Sequence, residues 1–143
     1  MASASASDVF NCSQAEFFKI ISDFDKYPEF LPEVKACRVV EIQGQRKLVE
    51  FEISVIKTFK YRLWMTEEAP SGIRWELSDG DLFKKSDGSW VLSDEAGKTR
   101  ATYTVDVDFK VFGASAFANT LVNVNLPSMM SAYKKRVSEL YGR

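Results

Sequence analysis

The chain has 143 residues, 45% of them hydrophobic, which is enough for one domain to fold around its own core without metals or disulfides. Its 19 lysines and arginines stand against 20 aspartates and glutamates, so no bulk positive field draws a phosphate backbone, and DNA is not an expected partner. Histidine is absent, which removes the usual general base, the commonest metal ligand and every serine–histidine or cysteine–histidine pair. No catalytic residue, metal or cofactor is therefore expected.

Residues 1–8 carry neither the basic region nor the apolar stretch of a secretory signal, and no window approaches the roughly 18 apolar residues of a membrane span. Cys12 and Cys37 are too few for a disulfide scaffold and lack zinc-site spacing, so free thiols and a cytoplasmic location are expected.

In chain order, the Ala/Ser alternation of residues 2–7 reads as a first edge strand. Ser13-Gln-Ala-Glu16 has capping-box spacing and starts a helix, whose apolar stripe is Phe17, Ile20, Ile21 and Phe24. Asp25-Lys-Tyr-Pro28 ends it, because the residue before a proline is pushed out of helical geometry. Tyr27-Pro-Glu-Phe-Leu-Pro32 leaves room for at most one further turn.

From residue 34 to 110 the pattern changes to period two. Turns are expected at Gln43-Gly44-Gln45, Ala69-Pro-Ser-Gly72, Ser78-Asp-Gly-Asp81, Ser86-Asp-Gly-Ser89 and Glu95-Ala-Gly97. Phe51, Ile53 and Val55 alternate with Glu50, Glu52 and Ser54; Tyr103, Val105, Val107 and Phe109 alternate with Thr102, Thr104, Asp106 and Asp108. Phe59, Tyr61, Leu63 and Met65 continue the buried face, as do Ile73, Trp75 and Leu77, with Trp90 and Leu92 fitting it less cleanly. Residues 47–67 far exceed a typical strand of about six residues, which places a break near Ile56-Lys57-Thr58. Asp79 and Asp81 flank Gly80 as turn chemistry requires, a simpler reading than a carboxylate pair.

Ser115 can cap a C-terminal helix running to about Tyr141, with Val122, Leu126, Met130, Tyr133, Val137 and Leu140 as its stripe and a kink just before Pro127. The opposite face of its first half carries Phe117, Leu121 and Val124, an apolar surface that needs a second partner. These elements make an α+β fold, a curled antiparallel sheet gripping one helix. Its many aromatic residues either meet the helix and fill the space or line a hollow, and both arrangements stay open at this level.

The run Asp23-Phe-Asp-Lys-Tyr-Pro-Glu-Phe-Leu-Pro32, the segment Gly80-Asp-Leu-Phe-Lys-Lys85 followed by Gly88-Ser-Trp90, and Leu126-Pro-Ser-Met-Met130 resemble a known family. It is the coenzyme Q-binding START-domain and ribosome-association-toxin branch of the polyketide cyclase/dehydrase (SRPBCC) superfamily, and the likeness covers nearly the whole chain. The resemblance implies a helix-grip fold over residues 1–143 as a single START-like domain. About seven strands would wrap a long C-terminal helix, with two short helices after the first strand and a cavity between sheet and helix.

It further implies binding of an apolar small molecule, a lipid or polyprenyl quinone, by a carrier, chaperone or sensor. A ribosome-association protein is the alternative, and a polyketide cyclase or dehydratase is disfavoured by the missing histidine. The expected cavity lining is Phe51, Ile53, Tyr61, Leu63, Trp75, Leu77, Trp90, Tyr103 and Val105 from the sheet, and Asn119, Val122, Asn123, Leu126 and Met130 from the helix. Tyr27, Phe30 and Leu31 would frame the entrance. Each aromatic also reads as ordinary core; the two asparagines either bond a polar head group or reach solvent at the cavity mouth, and Asn123 alternatively helps satisfy backbone freed at the kink. Transient membrane contact through the first half of the helix, and contact with the ribosome, complete the expected partners.

Overall fold

The computed structural model describes residues 2–54, 58–110 and 126–142. Strand β1 (Ala2–Phe10) leads into helix α1 (Gln14–Ser22) and a 3-10 helix (Phe24–Glu29). Six strands follow: β2 (Val34–Gln43), β3 (Arg46–Ser54), β4 (Thr58–Glu68), β5 (Gly72–Gly80), β6 (Phe83–Glu95) and β7 (Lys98–Phe109). The last element is helix α2 (Leu126–Tyr141). The seven strands form one antiparallel sheet in the order β1-β7-β6-β5-β4-β3-β2, the helix-grip arrangement that the order of elements implied.

The Ala/Ser alternation of β1 follows from its pairing with β7. Ser3, Ser5 and Ser7 meet Asp106, Thr104 and Thr102 through side-chain hydrogen bonds on the outer face, while Ala4 is buried. The capping box is formed: Ser13 Oγ accepts the Glu16 N–H at 3.1 Å, and Glu16 Oε1 accepts the Ser13 N–H at 2.8 Å. Buried Thr99 donates to the Cys12 carbonyl at 2.9 Å, fixing the β1–α1 connection to β7. After Ser22 the chain tightens into the 3-10 helix, longer than the single turn expected. Its bonds, such as Lys26 N–H to the Asp23 carbonyl at 3.1 Å, make no use of the N–H that Pro28 lacks.

The long run of residues 47–67 is two strands, since β3 and β4 pair antiparallel from Arg46↔Thr66 to Ser54↔Thr58; Ile56 and Lys57, where the break was expected, lie outside the described residues. One expected turn is absent. Residues 86–89 lie inside β6, which runs unbroken from Phe83 to Glu95. Gly88 is there because the Trp75 ring crosses it: a Cβ at that position would stand 2.3 Å from Trp75 Cζ2. Keeping β6 intact puts Trp90 and Leu92 firmly on the buried face.

Strands β5 and β6 pair only from Gly72↔Val91 to Trp75↔Gly88. Beyond that point the end of β5 stays with β4, while the start of β6 stays with β7. The sheet therefore divides at one end.

Leu126, Met130, Tyr133 and Val137 form the buried stripe of α2, but Leu140 is 49% exposed. At 3.6 residues per turn the stripe passes to Tyr141, whose hydroxyl donates to the Glu16 carbonyl at 3.2 Å. The helix start at Ser115, the kink before Pro127 and the apolar face of Phe117, Leu121 and Val124 lie outside the described residues; Pro127 itself sits in the first described turn. Ion pairs Lys134–Asp8 and Arg136–Glu29, each at 3.0 Å, tie α2 to β1 and to the 3-10 helix.

Candidate functional site

A hollow of about 190 Å³ lies between the concave side of the sheet and α2. Strand alternation puts Phe51 and Ile53 of β3, Tyr61 and Leu63 of β4, and Trp75 of β5 on its wall. Trp90 of β6 and Tyr103 and Val105 of β7 complete the sheet side named from the sequence, Leu126 contributes from the helix, and Tyr27 and Leu31 close it from the 3-10 segment.

Three other named residues are elsewhere. Leu77 is half-buried against the core on the stretch of β5 that has parted from β6, off the wall. Met130 is buried away from the hollow, because Leu126, Met129 and Tyr133 form the helical face that meets it. Phe30 lies outside the entrance. Its ring packs edge-on against Tyr133 at 5.1 Å and Tyr27 at 6.0 Å under the Arg136 guanidinium, lining a separate surface depression with Lys19, Lys26 and Leu140. Asn119, Val122 and Asn123 lie outside the described residues.

The rings are held by one another. Phe51 stacks on Tyr61 at 5.3 Å, Tyr61 meets Phe83 edge-on at 5.0 Å, and Tyr103 lies 5.4 Å from Trp75 and 5.1 Å from Trp90. Trp90 in turn meets Tyr133 at 5.1 Å. Such contacts fix ring orientation as well as burying area.

Four residues that the sequence reading had not assigned to the wall give it most of its polar character or its helical floor: Glu33, Ser86, Met129 and Tyr133. Tyr133 was visible on the helical stripe. Ser86 was hidden by the turn reading of residues 86–89, and Glu33 follows Pro32 in a connection with no periodicity to give its side chain a direction.

Burial pushes the hydroxyls of Tyr27, Tyr61, Tyr103 and Tyr133 above their ordinary pKa, and the negative charge of Glu33 adds to this at the last three. They stay O–H groups at neutral pH, able to donate and accept hydrogen bonds but poor as bases. Tyr27 donates to the Ile21 carbonyl at the end of α1. Among the described residues, the Tyr61, Tyr103 and Ser86 hydroxyls have no hydrogen-bond partner, and the Glu33 carboxylate has no cation. Burial, with the nearby Asp25 charge, pushes the Cys37 thiol up as well, which leaves it an unreactive thiol. Asp81 is spent on structure, accepting the Lys60 N–H at 3.0 Å, and Asp79 is exposed, so the two form no carboxylate pair.

A family model described as polyketide cyclase / dehydrase and lipid transport matches residues 11–134. The ribosome association toxin RatA of Vibrio cholerae is 25% identical over 147 residues, covering 99% of this chain and 99% of that protein. A START superfamily protein from Mycobacterium smegmatis superposes with a TM-score of 0.85 at 19% identity, over 98% of this chain and 99% of the other. The Zhui aromatase/cyclase from Streptomyces sp. R1128 does so with a TM-score of 0.82 at 12% identity, over 96% and 93%. At these identities the two structures speak for the fold alone.

Proposed function

The chain belongs to the polyketide cyclase / dehydrase and lipid transport family, and from that premise we propose that it holds an apolar small molecule, lipid-like or quinone-like, as a carrier, chaperone or sensor. The observation that carries this reading is the hollow itself, aromatic and aliphatic on nearly every side yet supplied with hydroxyls that have no partner among the described residues.

Size narrows the ligand. A volume of about 190 Å³ exceeds the roughly 150 Å³ that admits benzene and falls short of the roughly 300 Å³ at the lower end of drug-sized pockets. The described hollow takes a ring head, and a polyprenyl tail would extend beyond it. Burying about 150 Å² of ring at ~25 cal/mol per Å² gives roughly 4 kcal/mol before the cost of association is subtracted. Tighter binding needs the tail or polar contacts.

Proton transfer in a cyclase would fall on tyrosines whose protons are held more firmly than usual, in a chain without histidine, so binding is the stronger reading. Ribosome association is a second reading, favoured by the likeness to RatA along nearly the full length of both chains. The carrier reading takes residues 1–143 as one START-like domain acting in the cytoplasm. It includes brief membrane contact through Phe117, Leu121 and Val124 during loading, which liposome flotation checks. No helix among the described residues is long and apolar enough to cross a membrane.

Native mass spectrometry of freshly purified protein, with organic extraction, tests the proposal. A stoichiometric apolar adduct is expected. A clean apo mass combined with co-sedimentation on ribosomes would replace the carrier reading with the second one.

A further inference from the structure

We propose that the hollow selects a neutral ring bearing a hydrogen-bond-donating hydroxyl, a phenol or hydroquinone head, which Glu33 accepts while Tyr61 and Tyr103 flank it, and that it rejects carboxylates. This rests on the reading that the hollow takes an apolar ring.

The Glu33 backbone is fixed where the chain enters β2. Its carbonyl accepts the Ser54 N–H at 2.8 Å, and the next residue closes a turn through Val34 N–H to the Leu31 carbonyl at 3.0 Å. The side chain is half-buried on the wall, close enough for its charge to be felt at the Tyr61, Tyr103 and Tyr133 hydroxyls. Yet among the described residues no lysine, arginine or hydroxyl is bonded to it. Carboxylate oxygens accept hydrogen bonds, so a ligand group that pairs with them must donate.

A carboxylate ligand would bring a second negative charge to the same apolar wall, where like charges are poorly screened. A quinone offers acceptors only. It could take the tyrosine protons but offers the half-buried Glu33 no donor, whereas a hydroquinone serves both. An ammonium head would also donate, at the desolvation cost of a charge pair on a wall that, among the described residues, offers one carboxylate and no second anion.

The test uses ring probes built on one propylphenyl scaffold, read by quenching of Trp75 and Trp90: 4-propylphenol, propylbenzene, 4-propylbenzoate and 4-propylbenzylammonium. Wild-type protein should bind the phenol about tenfold more tightly than propylbenzene, as a hydrogen bond to a charged acceptor provides, and the benzoate more weakly than either. In Glu33→Gln the phenol-to-propylbenzene ratio should fall to within about twofold of unity and the benzoate should gain. A ratio within one preparation is unaffected by any unfolded fraction. An unchanged ratio in the variant, with propylbenzene binding in both proteins, overturns the role of Glu33 and leaves the carrier reading standing. Ammonium binding tighter than phenol binding overturns the ligand class, and no binding of any probe overturns both readings.

Discussion

Two ends of the space between sheet and helix are built from the same residue types and differ in what the side chains find opposite them. At the α1 end, Phe17 has no exposed surface and meets Phe10 at 4.5 Å, Trp90 at 5.4 Å and Tyr133 at 5.9 Å, while the Thr99 hydroxyl finds the Cys12 carbonyl. At the other end, Tyr61 and Ser86, beyond the point where β5 and β6 part, and Tyr103, opposite Trp90 within the paired stretch, face open space with hydroxyls that have no partner among the described residues. Rings that meet rings fill a core. Rings that face open space become walls.

The largest effect expected from this contrast is at Phe17. Phe17→Ala should lose about 3–5 kcal/mol in urea unfolding, because three ring contacts disappear and a cavity remains. Gly88→Ala comes next, at about 1–3 kcal/mol, since its methyl would stand 2.3 Å from Trp75 Cζ2 and 2.6 Å from the Thr104 carbonyl oxygen. A pair of hydroxyl deletions sharpens the comparison: Thr99→Val should cost about 1–2 kcal/mol and Tyr103→Phe close to nothing, as only the first removes a made hydrogen bond.

The smallest loss expected to be measurable is electrostatic. Burial alone would raise the Asp8 pKa, but the Lys134 ammonium and the Val9 N–H hold the carboxyl below its ordinary range. A lowered folded-state pKa gives stability that is present in full above the unfolded value, about 3.9, and is lost as pH falls through the folded one. With both side chains well exposed, Asp8→Asn should cost a few tenths of a kcal/mol at neutral pH and nothing in strong acid, read by thermal melts at both pH values.

The fold was legible in the sequence because its signals are local. The Ser13–Glu16 box, the alternation from Phe51 to Phe109 and the stripe from Leu126 to Val137 each fix an element by spacing alone. Ser86-Asp-Gly-Ser89 misled because glycine serves two purposes, and only the tertiary approach of Trp75 tells a ring contact from a turn. The strand side of the hollow follows from alternation, whereas its helical side turned on one step of rotation, Met129 against Met130. Glu33 was not legible at all, since a residue between a proline and a strand has no periodicity. Whether the aromatics fill or line depends on what the packed strands and helix leave opposite them, which no single strand encodes.

Ser86 faces empty space rather than a packed core, and the urea midpoint of Ser86→Leu measures this most directly. Leucine should enter the hollow and displace an unpartnered hydroxyl, leaving stability unchanged or raised by up to about 1 kcal/mol. A loss of about 1–3 kcal/mol, the cost of overpacking a filled interior, would contradict the hollow and the ligand it is proposed to hold.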